Sequence, residues 1–317
     1  MEKQNKARSL AEAAMIIGIA SLFTIIGNYI PFLTILLFLL PVPFMILGKR
    51  QGLYVELLSI GITGTIVVGL IGIWSTAILF SLTSIVAITM GYMMDKRYDP
   101  MKIWAGGIVS FVASIVLIMG VISLAMGNNV VHGLMNMLNQ SKDMAISLYS
   151  GMGIEPDKLG QMETAYEAFI VIFGMTFPSI LILISVAFSY INYLLTAYIL
   201  NKVGDRTPIF PQFKYFRLPD SIVMGTVIIL LLTYLTQYIR VVDFNTLSAN
   251  VSLLFRAAFF IQGLAVISFL IEKYRLGRLY RTFVFVYVLF SPAGGLMAVI
   301  LGLIDVFVDF RKLKKLG

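Results

Sequence analysis

The chain contains roughly eight or nine apolar stretches longer than about 18 residues, each long enough to cross a hydrocarbon core of about 30 Å. Backbone in that core has to bond its own polar groups within the segment, so stretches of this length are helices. The fold class is therefore all-α, a polytopic integral membrane helical bundle, and residues 1–317 read as one integral membrane domain. Composition agrees, since 13% of the residues are charged against about 25% in soluble domains. The absence of cysteine excludes structural disulfides and thiolate metal sites. His132 is the only histidine, and with no HExxH motif the expectation is no metal site, no cofactor and no catalytic residue. The net charge of +8 reads as the Lys and Arg excess of cytoplasmic loops rather than as a nucleic-acid footprint.

The N-terminus has a basic flank and an apolar body but no convincing small-x-small cleavage site, and reads as a retained first helix over about 10–28. A second segment runs from Pro31 to Gly48. Segments three and four cover about 52–73 and 76–94 with a hinge at Trp74, and a fifth covers about 103–126. An external polar excursion follows at about 127–165, where Val131, Leu134 and Leu138 recur at the spacing of an amphipathic surface helix. Segment six spans about 166–201 and contains Pro178, a kink site because proline lacks a backbone donor. Segments seven and eight cover about 221–239 and 249–271, and the interrupted stretch SPAGGLMAVILGLIDVFVDFRKLKK closes the chain.

With the N-terminus inside, sixteen of the 24 Lys and Arg residues fall in cytoplasmic loops. A hairpin turning at SPAGG adds Arg311, Lys312, Lys314 and Lys315 to that side, giving twenty against four; a continuous ninth helix gives sixteen against eight. The charge count favours the hairpin, although its arms are too short to span and its turn has to be buried in protein.

The stretch NYLLTAYILNKVGDRTPIFPQFKYFRLPDSI, with FRLP at Phe216 to Pro219, resembles the YybS family of uncharacterised bacterial membrane proteins. The closing GLIDVFVDFRK and the opening KARSLAEAAMIIGIASLF resemble the same family. That family is grouped by distant similarity with the membrane-embedded substrate-binding subunits, or S-components, of energy-coupling-factor vitamin transporters. The resemblance implies an S-component-like core in a bacterial cytoplasmic membrane, capture of a small molecule from outside, and separate ATPase and coupling subunits as partners. Small residues of the first helix contact the coupling subunit in S-components, so the resemblance implies that role for Ala7, Ala11 and Ala14, against the reading of alanines on so apolar a helix as ordinary packing residues. Fold similarity does not confer function.

Ionisable residues inside the bilayer are the default functional candidates. Arg256 stands about two turns from the outer end of segment eight, with Ser252 and Phe260 one turn away on its face. It reads as a guanidinium holding an anionic ligand in an outward-facing cavity, or as an arginine that snorkels to headgroups or pairs with Asp243. Glu56 and Glu12 lie shallow in their segments, where pairing with cytoplasmic Lys or Arg is expected; their positions argue against a proton-coupling role. Ser185, Ser189, Asn192 and Thr196 share one face of segment six, either lining a substrate path or packing helices through hydrogen bonds. Asn28, Trp74, His132, Gln237 and Arg240 fall near outer helix ends, where a ligand rim forms or where aromatic residues simply occupy the interface. Asp305 and Asp309 share a face one turn apart, which reads either as a cation site or acid and base pair or as a helix end stabilised by its cations, with Lys312 placed to pair with Asp309.

Two functions follow from different classes. One is a small-molecule binding or transport subunit with a ligand site at Arg256, Phe260, Asn192, Trp74 and Gln237. The other is a scaffold or regulator whose basic loops, with Arg217, Arg275 and Arg278, dock a cytoplasmic partner or anionic lipid. No constellation of recognisable catalytic spacing supports an enzyme.

Overall fold

Helices account for the regular structure of the described residues, as the bonding constraint requires. The computed structural model describes residues 2–127, 129–239, 243–309 and 311, without the side chains of 2–6, 8, 126 and 239. Arg240, Lys312, Lys314, Lys315 and the side chains of Lys3, Lys6 and Arg8 lie outside that set, and with them the expected Asp309–Lys312 pair. Among the described residues eight helices are long and apolar enough to cross a membrane, or nine spans if one bent pair counts as a span.

The helices group into two compact units, Met1–Gly133 with Ile184–Phe210, and Leu134–Leu183 with Pro211–Gly317. In the first unit α1 (Glu2–Tyr29) leads through a 3-10 turn at Pro31–Leu33 and α2 (Ile35–Phe38) into α3 (Pro41–Gln51). Pro31 and Pro41 each sit at the start of a helical piece, where a missing N–H costs nothing, so the second segment is broken rather than continuous. Then follow α4 (Leu53–Ile71), α5 (Ile73–Asp95) and α6 (Pro100–Met126), with Asp99 capping α6 by accepting the N–H of Met101 at 2.9 Å. The α4–α5 hinge falls at Gly72 (φ +87°) and not at Trp74, because only glycine takes that conformation without strain. Trp74 lies instead in the first turn of α5.

Val42, Phe44, Met45, Val86, Met90, Phe111, Phe188 and Tyr193 build the main core of this unit around α3, α5, α6 and the last part of α8 (Pro156–Lys202). Phe111 and Phe188 stack with centroids 4.2 Å apart. At one end of α3 the turn into α4 is tied to α1: Arg50 pairs with Glu12, Gln51 donates to Glu12 at 2.8 Å, and Ser9 donates to Gln51 at 2.6 Å. The expected pairing of Glu12 with a basic neighbour is present.

The second unit contains α7 (Val130–Gly151) from Leu134 onward, the first part of α8, a 3-10 turn at Phe213–Tyr215, α9 (Ser221–Ile239), α10 (Phe244–Lys273), α11 (Arg278–Phe290) and α12 (Pro292–Val308). No side chain of α7 is buried, and residues 156–165 of the expected excursion belong to α8. Pro178 lies inside α8, and the amide of Asn250 on α10 enters the helix ladder beside it. Asn250 accepts the N–H of Ser179 at 2.9 Å and donates to the carbonyl of Met175 at 2.6 Å, two groups that would otherwise bond each other.

The stretch read as a hairpin is a broken pair, α11 and α12, bent by 97° at Ser291, whose hydroxyl caps α12. The α12 helix packs mainly on α10. Their backbones touch at Gly263 and Gly302, where an added Cβ would run into the carbonyls of Ala298 and Phe259.

Candidate functional site

Glu56 lies in the first turn of α4 and is fully buried, and neither carboxyl oxygen has a hydrogen-bond partner among the described residues. Its position by residue count is shallow, yet its surroundings are dry, which overturns the expectation of an interfacial pair. The reason is the pair of glycines that face it. A Cβ at Gly91 of α5 would stand 2.7 Å from Oε1, and one at Gly48 of α3 would overlap the carboxyl itself. Three helices thus close on a carboxyl that two missing side chains admit. The nearest described charges on those helices are engaged elsewhere: Arg50 with Glu12, Lys49 with Asp205 at 3.8 Å, and Asp95 with Lys96 at 3.2 Å.

The polar stripe of α8 is also turned inward, with Ser185, Ser189, Asn192 and Thr196 all buried. Asn192 donates to the carbonyls of Phe38 at 3.0 Å and Phe188 at 2.9 Å, while its Oδ1 has no partner among the described residues. Ser189 Oγ is likewise buried without a partner among the described residues, against the bare Cα of Gly107. Thr196 donates to the thioether of Met45 at 3.7 Å. Met45 and Gly48 are one turn apart on α3, and Met90 and Gly91 are adjacent on α5, so both helices border the stripe and the Glu56 chamber alike. A buried polar atom without a partner is uncommon enough to call for an explanation, and Glu56, Ser189 and Asn192 supply four here.

The second unit has its own polar interior. Asp305 Oδ2 accepts from Arg311 Nη2 at 2.8 Å and from Gln262 Nε2 at 2.7 Å, and Gln262 Oε1 accepts the N–H of Leu218 at 3.0 Å. Arg311 also donates to the carbonyl of Lys214 at 2.7 Å. Asp309, with φ +49°, ends α12 and turns the chain so that Arg311 returns to Asp305. Asp309 pairs with Arg217 at 3.4 Å.

The other expected residues have surroundings of their own. Arg256 is exposed, without an ion-pair or hydrogen-bond partner among the described residues. Asp243 caps α10 by accepting the N–H of Thr246 at 2.8 Å instead of pairing with Arg256. Phe260 is half-buried against a small core of Ile267, Ile271, Val288 and Ala298. Trp74 is 72% exposed, and Gln237, Asn28 and His132 are exposed. Ala7, Ala11 and Ala14 are exposed on α1, away from buried Ala13, Ile16 and Ala20. Arg275 and Arg278 are exposed, whereas Arg217 is held by Asp220 and Asp309, and Lys214 by Glu272. Sequence reasoning missed Asn250, Gln262 and the chamber around Glu56; the Gly48 and Gly91 spacings were the available signal for the last.

Residues 18–306 match the model of a family described as predicted membrane protein, DUF2232. The protein YybS of Bacillus subtilis (strain 168), described as uncharacterized, is 26% identical over 272 residues, covering 84% of this chain and 86% of that protein. No solved structure matches the chain.

Proposed function

This chain belongs to the DUF2232 family of predicted membrane proteins, and from that premise we propose that it is the small-molecule-binding subunit of a transport system in the bacterial cell membrane. The observation that carries the reading is the pair of buried acceptors on α8, Asn192 Oδ1 and Ser189 Oγ, that find no partner among the described residues. A bundle that only fills a membrane does best with every interior polar atom bonded, whereas a polar ligand entering between helices supplies the missing partner. In this reading the core is of S-component type, the N-terminus is cytoplasmic, and the exposed Ala7, Ala11 and Ala14 face of α1 meets a coupling subunit that works with an ATPase. The chain itself carries out no reaction.

The test is gentle extraction of the native protein followed by mass spectrometry of copurifying small molecules and subunits, for wild type and Asn192→Ala. A small molecule present in wild type and lost from a folded N192A protein supports the reading. Equal retention by both removes the site from α8. A second reading, a scaffold that docks an acidic cytoplasmic partner or anionic lipid, is favoured by the exposed cations Arg275, Arg278 and Arg281, which have no ion-pair partner among the described residues. Capture of such a partner, abolished by neutralising those three and unaccompanied by any small molecule, selects it instead.

A further inference from the structure

We propose that Glu56 is a proton-binding site, holding one proton as a neutral carboxylic acid in the closed bundle and releasing it only when α3, α4 and α5 part. A carboxylate taken from water without a counter-charge costs several kcal/mol, and nothing described around Glu56 offers one. Among the described side chains, the charged groups on the helices packed against it are Glu12 of α1, Lys49 and Arg50 of α3, and Asp95 of α5. Each is turned to another partner: Glu12 to Arg50 and Gln51, Lys49 to Asp205, and Asp95 to Lys96. The neutral acid is the form that this chamber accepts.

A proton, and not a metal ion, fits the space. Hard cations take about six to eight oxygen ligands, and no cluster of three metal-binding side chains occurs among the described residues. The carboxyl fills the gap left by Gly48 and Gly91 so closely that a single methyl group at either would collide with it. No room remains for a coordination shell, and a proton needs none.

Exchange with water requires motion, because the carboxyl is fully buried. Glu56 stands four residues after Gly52 (φ +84°), the turn between α3 and α4. Beside that turn lies the Ser9, Glu12, Arg50 and Gln51 cluster that fastens α1 to α3. Opening there admits water within one helical turn of the acid. The O–H bond then breaks with its electron pair staying on the carboxylate, and the proton passes to that water.

Infrared difference spectra of the full chain in liposomes, wild type against Glu56→Gln, test the assignment at neutral pH. Glutamine has the size of the neutral acid, so the E56Q protein keeps its fold. The expected result is a carbonyl band of a protonated carboxylic acid that is present in wild type, absent from E56Q and unchanged when sodium is added at constant pH. Absence of the band overturns the proposal, and so does its loss on adding sodium, which would make the group a cation ligand. The band reports the proton whether or not a small molecule binds at Asn192, so this result and the ligand result fail separately.

Discussion

Replacing Asp305 by asparagine keeps the shape of the side chain and removes its charge. The Arg311 side chain is then left fully buried, with the Lys214 carbonyl as its one undiminished acceptor. Removing one partner of a buried pair costs about 3–5 kcal/mol, and the geometry argues for that range. Oδ2 takes Nη2 at 2.8 Å, with Nε at 3.3 Å, and Asp305 is 1% exposed, so no water replaces it. The companion Arg311→Met is expected to be comparably costly, because it leaves Asp305 with Gln262 alone. The double variant D305N/R311M, neutral on both sides, should return to within about 1 kcal/mol of wild type, since a buried pair is worth little over apolar packing. Reversible unfolding in mixed micelles with rising dodecyl sulfate, followed by circular dichroism, measures all four proteins. Strictly additive losses in the double variant, or a D305N cost below about 1 kcal/mol, would refute the view that this pair is a closed, dry contact.

Asn250→Leu should cost about 1–3 kcal/mol, because the N–H of Ser179 and the carbonyl of Met175 beside Pro178 lose the amide that bridges them, and either stay unpaired or have to close the ladder on each other by a backbone shift; hydrogen exchange over 175–179 should rise while α6 is unaffected. Asp243 is held below the usual carboxylate range by the backbone N–H of Thr246 first, then its side chain and the N–H of Asn245. The cap therefore stabilises α10 above the ordinary carboxylate pKa and loses that contribution as pH falls through the lowered value. An acid titration of unfolding should show a step in wild type that is missing in Asp243→Asn. Because the chain has no cysteine, Gln212→Cys and a cysteine appended after Gly317 can each be labelled alone. Arg311 on the Lys214 carbonyl predicts that both react with an impermeant maleimide from the same side, and opposite sides would contradict it.

Hydropathy located the helices because a bilayer imposes one length and one bonding pattern on every crossing. Residues 221–239 read as a segment and form α9 with the same limits. The hinge slipped from Trp74 to Gly72 because an interfacial tryptophan is conspicuous, while the requirement is a positive φ. Glu56 was misjudged because depth along a helix does not measure dryness; dryness here comes from Gly48 and Gly91 on two other helices. The same holds for Asp305. Its partner six residues on is reachable only after the left-handed turn at Asp309, and its second partner lies 43 residues back. Pairings of that kind are set by packing, which no local pattern carries.

The bend at Ser291 bears on the order in which the protein is assembled. At 1.5 Å per residue, the 13 residues of α11 and the 17 of α12 reach about 20 Å and 26 Å. Both fall short of a core about 30 Å thick, so neither arm enters the bilayer as a self-sufficient crossing. The seat for α12 is the bare backbone at Gly263, a surface that exists only after α10, made earlier, is in place. The C-terminal segment is therefore matured by the helix that precedes it, and a methyl group added at Gly263 should register first as a tail that fails to reach its proper side.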